Sequence, residues 1–70
     1  MKQITATMAG SVWKIVVKEG DQVLEGQDVV ILESMKMEIP LTAETTGVVK
    51  SIKVSEGDFV NEGDLIVELE

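Results

Sequence analysis

The sequence predicts an all-β domain: a flattened β-barrel or sandwich of two roughly four-stranded antiparallel sheets with internal pseudo-two-fold symmetry and no helix. Two observations lead to this fold class. Residues 4–33 repeat as residues 41–70 at a constant offset of 37 without a gap, and half of the thirty aligned positions are identical. In addition, short apolar runs follow the strand period of two, and no segment sustains the 3.6-residue apolar period of an amphipathic helix.

The strands are indicated by apolar residues spaced two apart, which recur at equivalent positions in both halves of the chain. β-branched side chains dominate these runs, as is typical of strands. The recurring residues are Ile15 and Val17 with Ile52 and Val54, and Val30 and Leu32 with Val67 and Leu69. We therefore expect these side chains, including Ile15, to point into the core.

Trp13, the chain's single tryptophan, is an exception to this inward pattern. Tryptophan is ordinarily largely buried. The residue equivalent to Trp13 in the second half is Lys50, although the apolar positions on either side are identical in the two halves. A backbone position that accepts lysine in one half faces solvent, so we expect Trp13 to be substantially exposed.

The segments between the strands are predicted to be turns. Glu19-Gly20-Asp21 recurs as Glu56-Gly57-Asp58. Glycine supplies the positive φ that such turns need, and an aspartate can close the turn on its own backbone. Because both halves carry these carboxylates, we interpret them as turn-closing and solvated edge residues and not as an acid–base pair.

The seam between the repeats is residues 34–40, and it contains Lys36. Neither half could bury its apolar face alone, so we expect the halves to interlock, each contributing strands to both sheets. The positions equivalent to Lys36 fall just beyond the two ends of the chain. The symmetry therefore predicts Lys36 at one pole of the domain and the two termini together at the other.

The segment Ser34-Met35-Lys36-Met37 lies between two predicted strands, 28–33 and 38–43. A tight hairpin turn there would normally use Asn-Gly, Asp-Gly or another glycine-containing loop, and none of these is present. A site that breaks a local rule in an otherwise regular sequence is a candidate functional site. The alternative is a longer loop in which both methionines fold back into the core and Lys36 is an ordinary surface charge.

Length and charge limit the classes of function. Residues 1–70 are one domain, with no cysteine to form disulfides and no opening apolar run typical of a signal peptide, so we expect a cytoplasmic monomer. No apolar segment is long enough to span a bilayer. Six basic and thirteen acidic residues give a formal net charge of -7. That charge repels phosphate backbones and anionic membrane surfaces, so neither nucleic acid nor a membrane is an expected partner.

The residue types that most enzymes need are also missing. Without histidine or cysteine there is no Ser-His or Cys-His nucleophile, no imidazole metal ligand and no zinc site. No glycine-rich loop precedes a helix, and the carboxylates lack the spacing of a calcium loop. We therefore do not expect an independent enzyme. The remaining candidate is the amine of Lys36, which a partner enzyme could acylate.

Residues 33–38, Glu-Ser-Met-Lys-Met-Glu, resemble the biotinylation motif of biotin carboxyl carrier domains. The resemblance covers essentially the whole chain. The opening pattern Ala6-x-Met8-x-Gly10-x-Val12 resembles the first long strand of such domains, and the two Glu-Gly-Asp-x-Val-x-x-Gly elements resemble the family's repeated turn. The resemblance implies that Lys36 becomes amide-linked to biotin and that Met35 and Met37 are the flanks recognised by biotin protein ligase.

The chain differs from the usual biotin carrier pattern in two ways, and the related lipoyl domains are therefore an alternative. The family usually has alanine where this chain has Ser34. Some biotin carrier domains also insert a protruding loop in the first half, which the ungapped repeat leaves no room for. Lipoyl domains share that compactness but usually show Asp-Lys-Ala at the turn. As a free-standing unit, the chain most resembles the small biotin/lipoyl attachment proteins.

The resemblance implies a cofactor carrier as the leading function. Biotin on Lys36 would accept carboxylate at a biotin carboxylase and deliver it at a carboxyltransferase, with the modified side chain acting as a swinging arm. One alternative is lipoate on the same lysine, attached by a lipoate ligase, for acyl or aminomethyl transfer. A third hypothesis, from a different class, is an unmodified acidic β-module that binds proteins by adding a peptide to a sheet edge.

Overall fold

The computed structural model describes residues 2–70, which form eight β-strands and no helix. In chain order the strands are β1 (Lys2–Thr5), β2 (Gly10–Ile15), β3 (Gln22–Val23), β4 (Asp28–Ser34), β5 (Met37–Thr42), β6 (Gly47–Ile52), β7 (Phe59–Val60) and β8 (Leu65–Leu69). The predicted all-β fold class is confirmed. Residues 2–70 accordingly include no helix with the length and apolarity needed to cross a membrane.

The strands form two antiparallel sheets of four strands each. We call β5-β4-β2-β7 the hairpin sheet, because it includes the β4–β5 hairpin, and β1-β8-β6-β3 the terminal sheet, because it includes the first and last strands. The repeat offset of 37 residues converts each strand of one sheet into a strand of the other. Strands β2 and β4 lie in the hairpin sheet and β1 and β3 in the terminal sheet, so the predicted interlocking of the halves is confirmed.

The predicted turns are present and equivalent in the two halves. Gly20 and Gly57 have φ values of 91° and 95°, a left-handed conformation that side chains rarely adopt. The following aspartates close the turns. Asp21 Oδ2 accepts a hydrogen bond from the Lys18 N–H at 2.9 Å, and Asp58 Oδ2 accepts one from the Ser55 N–H at 2.8 Å.

Glu19 and Glu56 have a role in addition to the one predicted for them. The Glu56 carboxylate accepts a hydrogen bond from the backbone N–H of Ile15 at 3.0 Å, and Glu19 accepts one from Ile52 at 3.4 Å. The two bonds are equivalent under the repeat. Each carboxylate therefore caps a strand end of the other half, and the turns help to fasten the halves together.

The core is a single cluster of aliphatic side chains from both halves. Its residues are Ile4, Ala6, Val12, Val17, Val23, Val29, Val30, Leu32, Leu41, Ala43, Val49, Val60, Ile66, Val67 and Leu69. Ile15, Ile52 and Val54 are only partly buried and pack against the edge of this cluster. The expectation of a core position is therefore wrong in degree for these three residues, which lie where the core meets solvent.

The chain ends meet in the terminal sheet, where Lys2 pairs with Leu69. The same offset relates this pair to Ile39 and Leu32, which pair in the β4–β5 hairpin. The two ends are therefore adjacent, as the sequence symmetry predicts, and they occupy the position equivalent to the hairpin that contains Lys36.

Trp13 is 46% exposed, as predicted from its equivalence to Lys50. We expect Trp13→Lys to change the free energy of unfolding by less than about 1 kcal/mol, as a surface substitution does. Ile15→Ala should cost about 2 kcal/mol, near the lower end for an aliphatic truncation, because Ile15 is only partly buried. Urea denaturation followed by circular dichroism measures both values. A less stable tryptophan variant would contradict the equivalence of positions 13 and 50.

Gly10 lies where β2 passes very close to β4. A Cβ atom at this position would lie 2.8 Å from the carbonyl oxygen of Glu33, and at the equivalent Gly47 it would lie 3.0 Å from that of Glu70. The approach at Gly10 is the closer of the two, so the neighbouring backbone must move further to admit a Cβ atom there. We expect Gly10→Ala to destabilise the domain by about 1–3 kcal/mol and Gly47→Ala by less, measured by urea denaturation. The reverse order would contradict this account.

Candidate modification site at the β4–β5 turn

The β4–β5 connection is a two-residue hairpin turn. Ser34 pairs with Met37, which leaves only Met35 and Lys36 between the strands. Their φ values are 52° and 65°, and positive φ at both central positions is what a type I′ hairpin turn requires. Neither residue is glycine or asparagine, and a left-handed conformation costs a side-chain-bearing residue about 1–2 kcal/mol. The turn therefore lacks the glycine or asparagine that its conformation favours, and the result is backbone strain at Met35 and Lys36.

The side chains of the turn face solvent. Met35 is 90% exposed, Met37 is 63% exposed, and Lys36 is also exposed. The alternative interpretation, in which both methionines return to the core from a longer loop, is wrong. Within residues 2–70 the Lys36 amine has no hydrogen-bond or ion-pair partner. The turn therefore presents the Lys36 amine to solvent between the exposed thioethers of Met35 and Met37.

The strand that leads into the turn is firmly anchored. β4 pairs with β5 on one side and with β2 on the other. Val29, Val30 and Leu32 of β4 are completely buried in the core. The strained turn is thus held by the packing behind it, which is the condition under which such strain persists in a folded protein.

Two carboxylates flank the turn on one face. Glu33 and Glu38 are a directly opposed cross-strand pair, and both are exposed. Like charges in such a pair are destabilising relative to neutral residues. The hairpin therefore combines two features that do not favour its own stability: left-handed backbone at the turn and like charges beside it.

Phe59 also lies beside the turn, a position that was not predicted from the sequence. It is 66% exposed, and its partner in the β2–β7 pair is Ser11. With Lys36, Met35 and Gly10, it lines a shallow depression beside the turn. The signal that could have found it is the repeat, because its equivalent in the first half is the polar Gln22.

The chemistry of this site suits covalent attachment of a group, because an exposed primary amine can be acylated. Among residues 2–70, no group of three histidine, cysteine, aspartate or glutamate side chains is arranged to hold a metal ion. The sequence-predicted residues Met35, Lys36 and Met37 are adjacent at one turn. An acyl group delivered to the Lys36 amine fits this geometry.

Comparison with known proteins gives consistent results. A sequence-family model described as "Biotin-requiring enzyme" matches residues 2–69. The Biotin/lipoyl attachment protein of Bacillus subtilis is 59% identical over 41 residues, which are 59% of this chain and 56% of that protein. The Biotinylated protein TB7.3 homolog of Mycolicibacterium smegmatis is 52% identical over 42 residues, or 60% of this chain and 59% of that protein. The matched segments thus span less than two thirds of either relative.

The fold has a close counterpart among solved structures. Part of the Kluyveromyces lactis urea carboxylase superposes on 99% of this chain with a TM-score of 0.93 and 35% sequence identity. The matching region is 6% of that much larger chain, so the fold forms only a small part of it. With the family match over residues 2–69 and the fold in agreement, this chain belongs to the biotin/lipoyl domain family, the family described as "Biotin-requiring enzyme".

Proposed function

We propose that Lys36 is the residue to which biotin is covalently attached, and that the domain is a carrier that moves carboxylate between a biotin carboxylase and a carboxyltransferase. The observation that carries this proposal is the turn itself. The exposed Lys36 amine, which has no hydrogen-bond or ion-pair partner among residues 2–70, stands on a strained, well-supported hairpin between two exposed methionines. The names of the relatives, which include a biotin/lipoyl attachment protein and a biotinylated protein, support the choice of biotin.

Attachment would be an acyl transfer carried out by biotin protein ligase. The ligase would supply the biotin carboxyl group in an activated form that carries a leaving group on the carbonyl carbon. The Lys36 amine would attack that carbon, so that a C–N bond forms while the bond to the leaving group breaks. The leaving group would depart with the electron pair of that bond, and the nitrogen would release one proton. The domain contributes only the nucleophile and its position, because the turn holds the amine clear of the sheet surface.

The two methionines would form the contact with the ligase. Both are exposed beside the lysine, and a thioether side chain is flexible and polarizable, so it adapts to an apolar recognition surface. Because they lie at either side of Lys36, a pocket that accepts both fixes the lysine between them. This explains why the chain leaves two apolar side chains in solvent at the tip of its hairpin.

Once attached, biotin supplies a ring nitrogen that accepts carboxylate at one active site and yields it at another. The domain's own residues perform no bond-making in that cycle, so its role is that of a carrier and not of an enzyme. Lys36 tethers the group, and the anchored β4–β5 hairpin presents it at a fixed place on the domain. Tethering raises the effective concentration of the group at each active site that the domain visits.

Lipoate on the same lysine is the second candidate function. The feature that favours it is the compactness of the first half. β2 is joined to β3 by residues 16–21 alone, without a protruding loop. Lipoate ligase would then be the partner, and acyl or aminomethyl transfer the reaction served. The methionine flanks argue against this candidate, since lipoyl domains usually show Asp-Lys-Ala at the turn. The remaining hypothesis, an unmodified acidic module, predicts no change of mass in cells.

The attachment proposal predicts that Lys36→Arg abolishes modification, because arginine keeps the positive charge but lacks an acylable primary amine. The matched control is Lys14→Arg, which alters an exposed lysine of the same sheet. Each protein is co-expressed with biotin protein ligase, its intact mass is measured, and it is probed with streptavidin. We expect one biotinyl group on the wild-type and Lys14 variants and none on the Lys36 variant. A biotin signal that survives Lys36→Arg would exclude this attachment site.

The flanking methionines should decide which ligase acts on the domain. We expect the double substitution Met35→Asp with Met37→Ala to slow biotinylation and to raise the rate of lipoylation, because it recreates the flanks of lipoyl domains. Specificity is a difference between two affinities, so both ligases must be assayed on both proteins. Unchanged biotinylation kinetics would show that Met35 and Met37 are not the discriminating contacts.

A further inference from the structure

The two sheets have equivalent backbones but outer faces of different chemistry. On the hairpin sheet, one outward-facing apolar residue stands on each of the four strands. In sheet order these residues are Pro40 on β5, Ile31 on β4, Trp13 on β2 and Phe59 on β7. We call this set the apolar stripe. It crosses the whole sheet next to the hairpin that contains Lys36.

The strand register places the members of the stripe side by side. Ile31 pairs with Pro40 on one side and with Lys14 on the other. Trp13 is the extra residue of a bulge between Val12 and Lys14, so it also stands opposite Ile31. Phe59 pairs with Ser11, the next outward residue of β2 before the tryptophan. Diagonal neighbours at this spacing are within reach of aromatic side chains.

The outer face of the terminal sheet can be compared with this face position by position, because the repeat relates the two sheets. The positions equivalent to the stripe are Gln3 on β1, Glu68 on β8, Lys50 on β6 and Gln22 on β3, and all four residues are polar. Lys50 even occupies the same bulge as Trp13, between Val49 and Ser51. At one neighbouring position the difference is opposite, because the terminal sheet has the apolar Val48 where the hairpin sheet has the polar Ser11.

The fold itself therefore does not require apolar residues at these positions. Trp13 and Phe59 remain 46% and 66% exposed, so neither is needed to complete the core. A contiguous exposed apolar set on one face of a soluble domain, absent from the equivalent face, is typical of a surface that another protein covers. Aromatic residues at such a surface supply a large share of binding energy.

We propose that the apolar stripe is a docking surface for the ligase that acylates Lys36, an inference that rests on the proposed function. The ligase is the partner that must come closest to this face. The amine lies only one lysine side chain from the backbone, so the ligase must bring its active site against the turn and thus against the adjoining face. Enzymes that act on the loaded group reach it through a longer arm and can stand further from the sheet.

The charges beside the stripe indicate the charge of the partner surface that would fit it. On the outer face of β4 and β5, the Glu33–Glu38 pair lies between the stripe and the turn. A protein that covers both the stripe and Lys36 must therefore cover these two carboxylates. The complementary surface is an apolar patch with basic side chains between it and the ligase active site.

The repeat supplies the substitutions that test the proposal. The stripe variant combines Trp13→Lys with Phe59→Gln, and each new residue is the one that the equivalent backbone position already accepts. The control variant makes the reverse changes on the terminal sheet, Lys50→Trp and Gln22→Phe. Both are purified without biotin, checked by urea denaturation, and assayed with purified biotin protein ligase at varied carrier concentration, using intact mass as the readout.

We expect the stripe variant to raise the KM for the carrier by about tenfold or more while kcat stays within about twofold, since the lost contacts hold the domain on the ligase while Lys36 and its methionine flanks are unchanged. The control variant should match the wild type. An unchanged KM in the stripe variant, an equal rise in the control variant, or a fall confined to kcat would each overturn the proposal.

A separate assay tests whether the substitutions change the turn itself. Acetylation of the Lys36 amine by a small activated ester should proceed at the same rate in the wild type and the stripe variant, because the reagent needs no docking surface. A slower acetylation in the stripe variant would show that the turn had changed and would overturn the docking role. Failure of the proposed function is distinguishable, because the wild-type domain itself would then gain no biotin at Lys36.

Discussion

The exchange of strands between the two halves is the constraint on which the rest of the structure depends. In each half the two long strands pair with each other, β2 with β4 and β6 with β8. The two remaining strands of each half belong to the sheet of the other half. Neither half could bury its apolar residues by itself, since a chain of this size has little core to divide. The reciprocal bonds from Glu19 and Glu56 fasten the same exchange. Folding of either half is thus inseparable from folding of the other.

This exchange explains how the hairpin tolerates its strain. β4 is a central strand of its sheet, and its side chains fill the middle of the common core. The energy gained by that packing greatly exceeds the cost of left-handed backbone at Met35 and Lys36 and of the opposed Glu33 and Glu38. A more favourable turn sequence, such as Asn-Gly, would relieve the strain but remove the amine. The chain therefore combines a regular scaffold with one locally unfavourable turn, as is typical of functional sites.

Much of the fold follows from the repeat, which can be found in the sequence alone. The repeat predicts that each half contributes strands to both sheets, that the chain ends are adjacent and that Trp13 is exposed. The same comparison would have revealed Phe59 through its equivalence to Gln22. The partial burial of Ile15 was not predictable, because period-two patterning shows which side chains face inward but not how completely the core covers each of them. Nor do the residue types at positions 35 and 36 indicate positive φ, which arises from the pairing of Ser34 with Met37. The choice of biotin as the proposed group rests on resemblance and not on the geometry of the amine.

The pairing of Lys2 with Leu69 has a mechanical consequence. The antiparallel strands β1 and β8 begin and end side by side, so a force that separates the chain ends loads their hydrogen bonds one after another. This unzipping geometry resists less force than a shearing geometry, in which all the bonds of a ladder are loaded together. The pull would act first on the terminal sheet and would reach β4 and β5 only after β1 had detached. The domain would thus be mechanically soft at its ends, while the hairpin that contains Lys36 would keep its shape during the early stages of extension.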